Sequence, residues 1–268
     1  MTTTEDFQVS VEAAEQYEAR FVPAIFAEWA PLLCDIAGVR TGQAVLDVAC
    51  GTGIAARTAA ERVGPTGRVT GVDLNEGMLA VARRVRPDLE WRQGDVAALP
   101  FADGSFDVAL CQMALMFFPD QLAALREMVR VARPGGVVAL AVPASLDAQP
   151  AYGPFVDMAV RAAGSQAASL LGAYWACGDL VVLSDLVASA RLEVTDTWTH
   201  LGTAAFDSPG QLAATEVEGS PLVDRISADV YARIRAGAED VLAPFVGPTG
   251  RLDAPLRGHL VAARVPGG

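Results

Sequence analysis

Val45-Leu46-Asp47-Val48-Ala49-Cys50-Gly51-Thr52-Gly53 decides the fold. A short apolar run from Ala44 to Val48 predicts a buried strand, and an alanine-rich stretch after Gly53 predicts a helix. Strand, glycine turn and helix together form a nucleotide-binding element. The helix start offers unpaired N–H groups, and glycine lets a ligand approach the backbone. NAD-binding domains use the same device, although here the third glycine position is Ala56. A glycine turn with no ligand also fits the loop taken alone. Asp47 shifts the balance, because a carboxylate at the end of a buried strand needs compensation. Loop N–H groups alone could supply it. A dinucleotide pyrophosphate would be repelled, whereas S-adenosylmethionine brings an ammonium and a sulfonium.

Outward from this loop the pattern repeats. Val69–Leu74 predicts a second strand, and Asn75-Glu76-Gly77 opens a helix. Leu89–Gln93 predicts a third strand entering Gly94-Asp95, and Phe106–Gln112 a fourth. Ala132-Arg133-Pro134-Gly135-Gly136 ends a helix before a fifth strand at Val137–Val142. Alternating strands and helices predict a parallel sheet covered on both faces. Asp73 can accept ribose hydroxyls, as in NAD enzymes too, and Asp95 can meet an adenine amino group or serve as a turn residue. Beyond Pro143 the rhythm changes. Ser184–Ala190 reads as a helix with Ser184 as N-cap, Glu193–Leu201 as a strand and His259–Val265 as a last strand. Val11–Ile36 reads as helical, with Tyr17, Phe21, Ile25, Phe26 and Trp29 three or four apart. The expected organisation is one domain. Its core spans about 41–143, 184–206 and 255–266, and its helical caps span about 8–40, 150–182 and 207–250.

Bulk properties narrow the function. With 52% hydrophobic and 19% charged residues over 268 positions, a substantial core can form. A net charge of −12 argues against a general nucleic-acid binder. Every side-chain cation is an arginine; the absence of lysine removes Schiff-base chemistry and any P-loop lysine. Four scattered cysteines and two histidines make a metal site unexpected and point to reduced, partly buried thiols. Met1–Val9 is polar and acidic, unlike a signal peptide, and no apolar run reaches membrane-spanning length. A cytoplasmic protein is expected, with no nucleic-acid partner and no membrane insertion; a homodimer is compatible with these properties.

The quoted stretch resembles motif I of the class I S-adenosylmethionine-dependent methyltransferases. Gly94-Asp95, Leu99-Pro100-Phe101 and Ser105-Phe106-Asp107 look like the run found in the ubiquinone/menaquinone-type group, and Arg133-Pro134-Gly135-Gly136 is similar to its signature before strand five. The resemblance covers about residues 40–143, with a further echo in Gly258-His259-Leu260-Val261. It implies an α/β fold with a Rossmann-like, mostly parallel seven-stranded sheet in order 3-2-1-4-5-7-6, the seventh strand antiparallel. It also implies S-adenosylmethionine as cofactor. On this pattern Asp47, Gly51 and Gly53 hold the methionine end, with Ala49 standing where many members have glycine. Asp73 takes the ribose, Leu74 and Met78 flank the adenine, and Asp95 with Val96 meets its edge after Gly94. Cys111 and Gln112 sit near the sulfonium. Tyr17 resembles a cap residue that closes over the cofactor, and Phe21 reads equally as a core position.

Methyl transfer asks mainly for alignment and exclusion of water. A base is needed only if the nucleophile arrives protonated. His200 is the candidate, with Glu216 and Glu218 behind it; a structural histidine and a solvated helix face are the plainer readings. Met113, Met116, Phe117, Phe118, Phe155, Tyr174 and Trp175 suggest an apolar small-molecule acceptor, or ordinary packing. Asn-Pro-Pro-Tyr, the mark of base-directed amine methylation, is absent after strand four. Two alternatives stay open: a non-methylating relative that binds the same cofactor, and an NAD-dependent oxidoreductase, which Asp47 and the missing lysine disfavour.

Overall fold

The computed structural model describes residues 9–267, so the reading of Met1–Gln8 and the first position of the N-terminal cap lie outside the described residues. Seven strands form one sheet in the order β3-β2-β1-β4-β5-β7-β6. They are β1 (Ala44–Val48), β2 (Arg68–Asp73), β3 (Glu90–Gln93), β4 (Phe106–Gln112), β5 (Ala132–Pro143), β6 (Glu193–Phe206) and β7 (Leu252–Arg264). The first five pair in parallel, and the register sets Asp47 between Gly71 and Leu110. Opposite direction in β7 follows from its bonds: Gly135 N donates to Val265 O and Val265 N to Gly136 O, while Ala144 N donates to Arg257 O. Thr195 bonds Ala262 and Thr199 bonds His259, so β6 also runs against β7. The expected strand order and the mostly parallel sheet are thus present.

The chain divides into two compact units. One is Met1–Ala141, Ser184–Trp198 and Leu260–Gly268; the other is Val142–Leu183 and Thr199–His259. In the first, Val45, Leu46 and Val48 of β1 and Val108, Ala109 and Leu110 of β4 are fully buried, as expected for strands covered on both faces. Its helices are α1 (Val11–Gln16), α2 (Trp29–Ile36), α3 (Ile54–Val63), α4 (Glu76–Val85) and α5 (Gln121–Val131). Asn75 caps α4 by accepting from Met78 N at 3.2 Å, and Asp120 caps α5 by accepting from Ala123 N at 2.9 Å. The second unit holds α6 (Tyr152–Ala163), α7 (Ser165–Gly172), α9 (Pro209–Glu218) and α10 (Ala228–Val241). Helix α8 (Leu180–Ser189) begins in the second unit and continues in the first.

Several expectations need correction. The N-terminal helix is not continuous: Tyr17–Phe26, between α1 and α2, is π-helical, with Ala27 N donating to Val22 O at 2.8 Å. Pro23 lies within it and has no N–H to give. Ser184 does not cap α8. The helix starts four residues earlier, where the Asp179 carboxylate accepts from Val181 N at 2.9 Å and Val182 N at 3.1 Å. The arginine-proline-glycine motif already lies in β5 rather than before it, and β6 and β7 are longer than expected. All four cysteines are buried free thiols.

Candidate functional site

The glycine loop lies in the first unit, at the carboxyl ends of β1 and β2. Asp47, only 1% exposed, accepts from Ala56 N in the first turn of α3 at 2.8 Å. Burial pushes its carboxyl up to about 7; the Ala56 bond and the Arg57 guanidinium pull against that shift, and Asp73 adds to it. Asp73 itself is raised by burial, although both its oxygens accept backbone N–H groups, Gly51 at 2.8 Å and Asn75 at 2.8 Å. Asp73 therefore braces the loop. That structural task is one the sequence does not announce.

Backbone geometry explains the loop's composition. Ala49, Gly51 and Gly53 all have positive φ, at 54°, 54° and 91°. Alanine in the left-handed region costs roughly 1 kcal/mol, so Ala49 is tolerated with some strain. At Gly53 a Cβ would fall 2.2 Å from the Trp91 ring, so this glycine serves the packing of β3. At Gly51 the nearest atoms to an added Cβ belong to Tyr17, at 3.8 Å. Tyr17 thus stands over the loop, stacked with Phe21 at 5.7 Å and Phe26 at 5.3 Å between ring centroids. Its phenol is held protonated by burial and by the nearby Asp73, Glu18 and Asp47 charges.

The remaining expected residues are placed as follows. Leu74 follows β2 and is 55% exposed, an apolar side chain turned to solvent beside an acid. Met78, Gly94 and Val96 are half-buried. Asp95 is exposed, and its Oδ1 accepts from Ala97 N at 2.9 Å, a turn contact. Cys111 is buried; the Gln112 amide donates to Phe26 O at 3.1 Å, while its Oε1 is buried without a protein partner. Met113 has φ 53°, a strained turn at the end of β4. Much of the motif run after β3 is scaffolding. Arg130 donates to Leu99 O at 2.9 Å and Phe101 O at 2.8 Å, and Asp107 accepts from Ala44 N at 2.7 Å.

His200 belongs to the second unit, as do both glutamates. Glu218 is exposed and accepts from Tyr231, a helix-surface contact. Glu216 is hydrogen-bonded to Tyr152, and burial pushes its carboxyl up to about 7. Phe155 is fully buried and Trp175 packs against Tyr152 at 5.1 Å and Tyr174 at 5.3 Å, so these aromatics fill the unit's interior. Sequence reasoning missed Glu18, Arg57 and Trp91. Only their neighbours gave a signal: Glu18 follows Tyr17, and Arg57 interrupts an alanine-rich helix at the loop. Among the described residues no group of three metal-ligating side chains is gathered, and no single helix is long and apolar enough to cross a membrane.

The mostly parallel sheet has this strand order, with a glycine loop after β1 and acids in β1 and β2, and within it residues 46–140 match a methyltransferase domain family. The similarity is to the quinone-biosynthesis type. Demethylmenaquinone methyltransferase of Staphylococcus aureus is 46% identical over 104 residues, 38% of this chain and 43% of that protein. The match thus spans less than half the length of these curated relatives. Two solved structures share the fold. A putative methyltransferase from Bacillus halodurans has a TM-score of 0.62 at 20% identity, covering 88% of this chain and 98% of that one. Phosphoethanolamine N-methyltransferase 2 of Haemonchus contortus, solved in complex with S-adenosyl-L-methionine, has a TM-score of 0.60 at 20% identity, covering 98% and 59%.

Proposed function

We propose that this chain binds S-adenosylmethionine at the glycine loop and transfers its methyl group to a small-molecule acceptor in the cytoplasm, in quinone or secondary metabolism. The observation that carries this reading is Asp47, a carboxylate 1% exposed beneath a glycine loop, with one hydrogen bond, from Ala56 N, and the Arg57 charge against its burial. A cationic ligand end answers that charge; a pyrophosphate does not. The buried, unbonded Thr52 hydroxyl in the same loop is a second sign that the residues fit a polar ligand.

In this reading Asp47, Ala49, Gly51 and Gly53 hold the methionine end, and Asp73 accepts the ribose hydroxyls with the lone pairs its backbone bonds leave. Leu74 and Met78 flank the adenine, while Gly94, Asp95 and Val96 line its edge. Cys111 and Gln112 border the sulfonium, and Tyr17 covers the loop. The bound cofactor supplies an activated methyl group for in-line displacement. The protein's own work is to align the acceptor and keep water out. His200 stands as the base should the acceptor arrive protonated.

The test is calorimetric titration with S-adenosylmethionine, S-adenosylhomocysteine and NAD. Asp73→Asn is the milder variant, since it keeps one of the two backbone bonds, whereas Asp73→Ala would release both Gly51 and Asn75 and loosen the loop further. Micromolar binding of the first two, weakened at least tenfold by Asp73→Asn, is expected. Binding of NAD alone would overturn the reading. Methyl-labelled cofactor then separates a methyltransferase from a non-methylating relative, since only the former moves label to an acceptor.

A further inference from the structure

Two buried oxygens beside the glycine loop have no hydrogen-bond partner, Glu18 Oε2 and Thr52 Oγ1. Their residues hold the same guanidinium. Arg57 Nη2 donates to Glu18 Oε1 at 2.9 Å, and Arg57 Nη1 donates to the Thr52 carbonyl at 2.9 Å. The Arg57 and Glu18 side chains are 13% and 23% exposed, so this pair is shielded well beyond an ordinary surface bridge. A desolvated carboxylate oxygen with no donor is costly, and more so than a neutral acceptor. Arg57 engages one Glu18 oxygen and leaves the other bare.

The surroundings are acidic. Glu18, Asp47 and Asp73 all act on the Tyr17 phenol, whose ring stands over Gly51. Three carboxylates gather near one loop, and Arg57 is the cation hydrogen-bonded there. Glu18 reaches this position from the π-helical segment, whose wider turn begins at Tyr17. Short π-helical stretches are often found at functional sites.

We propose that Glu18 is a further cofactor-contact residue, its free carboxylate oxygen receiving the ammonium of the cofactor's amino-acid end while the Thr52 hydroxyl donates to the carboxylate of that end. This rests on the cofactor reading above. The N-terminal segment then recognises the amino acid and not the nucleoside.

Two ligands separate these ends. S-adenosylhomocysteine carries both, and 5′-methylthioadenosine lacks the amino acid. Glu18→Gln keeps the shape and an oxygen for Arg57. It should weaken S-adenosylhomocysteine about tenfold, the value of a charged hydrogen bond, and leave 5′-methylthioadenosine within twofold. Thr52→Val, nearly isosteric, should give the same one-ligand loss and serves if Glu18→Gln fails to fold by circular dichroism. Equal losses for both ligands would overturn the proposal, making Glu18 a mere strut for the segment. Unchanged binding of S-adenosylhomocysteine would overturn it too. If the unsubstituted chain binds neither ligand, the cofactor reading itself fails, an outcome distinct from the other two.

Discussion

Asp47 is a charge at the end of an apolar strand, and it leaves a mark in the sequence because burying it demands an answer. Its answer in the fold is incomplete, and this has a measurable consequence. With its carboxyl at about 7, above the ordinary value near 4, the folded state keeps a proton that the unfolded chain has released between those pH values. Stability should therefore fall as pH rises from about 4 to about 7, and level off above. Asp47's share is roughly 2–4 kcal/mol. Glu216, also near 7 from burial, adds a slope of the same sign. Asp47→Asn should narrow the gap in thermal midpoint between pH 5 and pH 8 without abolishing it. An unchanged gap would mean that Asp47 ionises freely in the fold. By contrast, the bracing of Gly51 by Asp73 was not legible, since a sequence does not say which N–H a carboxylate will meet.

At the level of elements, periodicity located every strand of the sheet, because apolar runs bounded by turns are what buried parallel strands require. It failed where hydrogen bonding changes without changing composition. Spacings of three and four from Tyr17 to Trp29 suit an α-helix, whereas the π-helical segment buries Val22, Ile25 and Phe26 and leaves Tyr17 and Phe21 half-buried. The start of α8 was missed because Val181 and Val182, 70% and 63% exposed, look like core residues and are not. Glycines carried a second message. Gly53 reads as a ligand-facing position, yet its missing Cβ makes room for Trp91 of β3. Gly53→Ala should cost roughly 2–4 kcal/mol from overpacking and backbone strain together. Adding Trp91→Leu should recover part of that loss, so that the two changes are less than additive in denaturant unfolding. Full additivity would place the cost in the backbone alone.

Over the whole molecule, the stretch that matches the methyltransferase domain family was legible because its motifs are ordered within one hundred or so consecutive residues. The assignment of the rest was not, since the two units are assembled from separated stretches. The first unit contains both Met1–Ala141 and Leu260–Gly268. Gly135 and Gly136, at the start of β5, complete their backbone bonds with Val265. Removal of residues 260–268 should therefore weaken the unit bearing the glycine loop, lowering its thermal midpoint and its affinity for S-adenosylhomocysteine alike. If both survive the deletion, β7 is only an ornament to that unit. The same interleaving bears on how the protein is made. Chains emerge from the ribosome N-terminus first, and domains generally fold as they appear. Here the segment carrying the glycine loop is synthesised before β7, which closes its sheet, and more than one hundred residues separate β5 from β7, so in that interval β5 offers an unpaired edge to whatever chaperone or neighbouring nascent chain reaches it first.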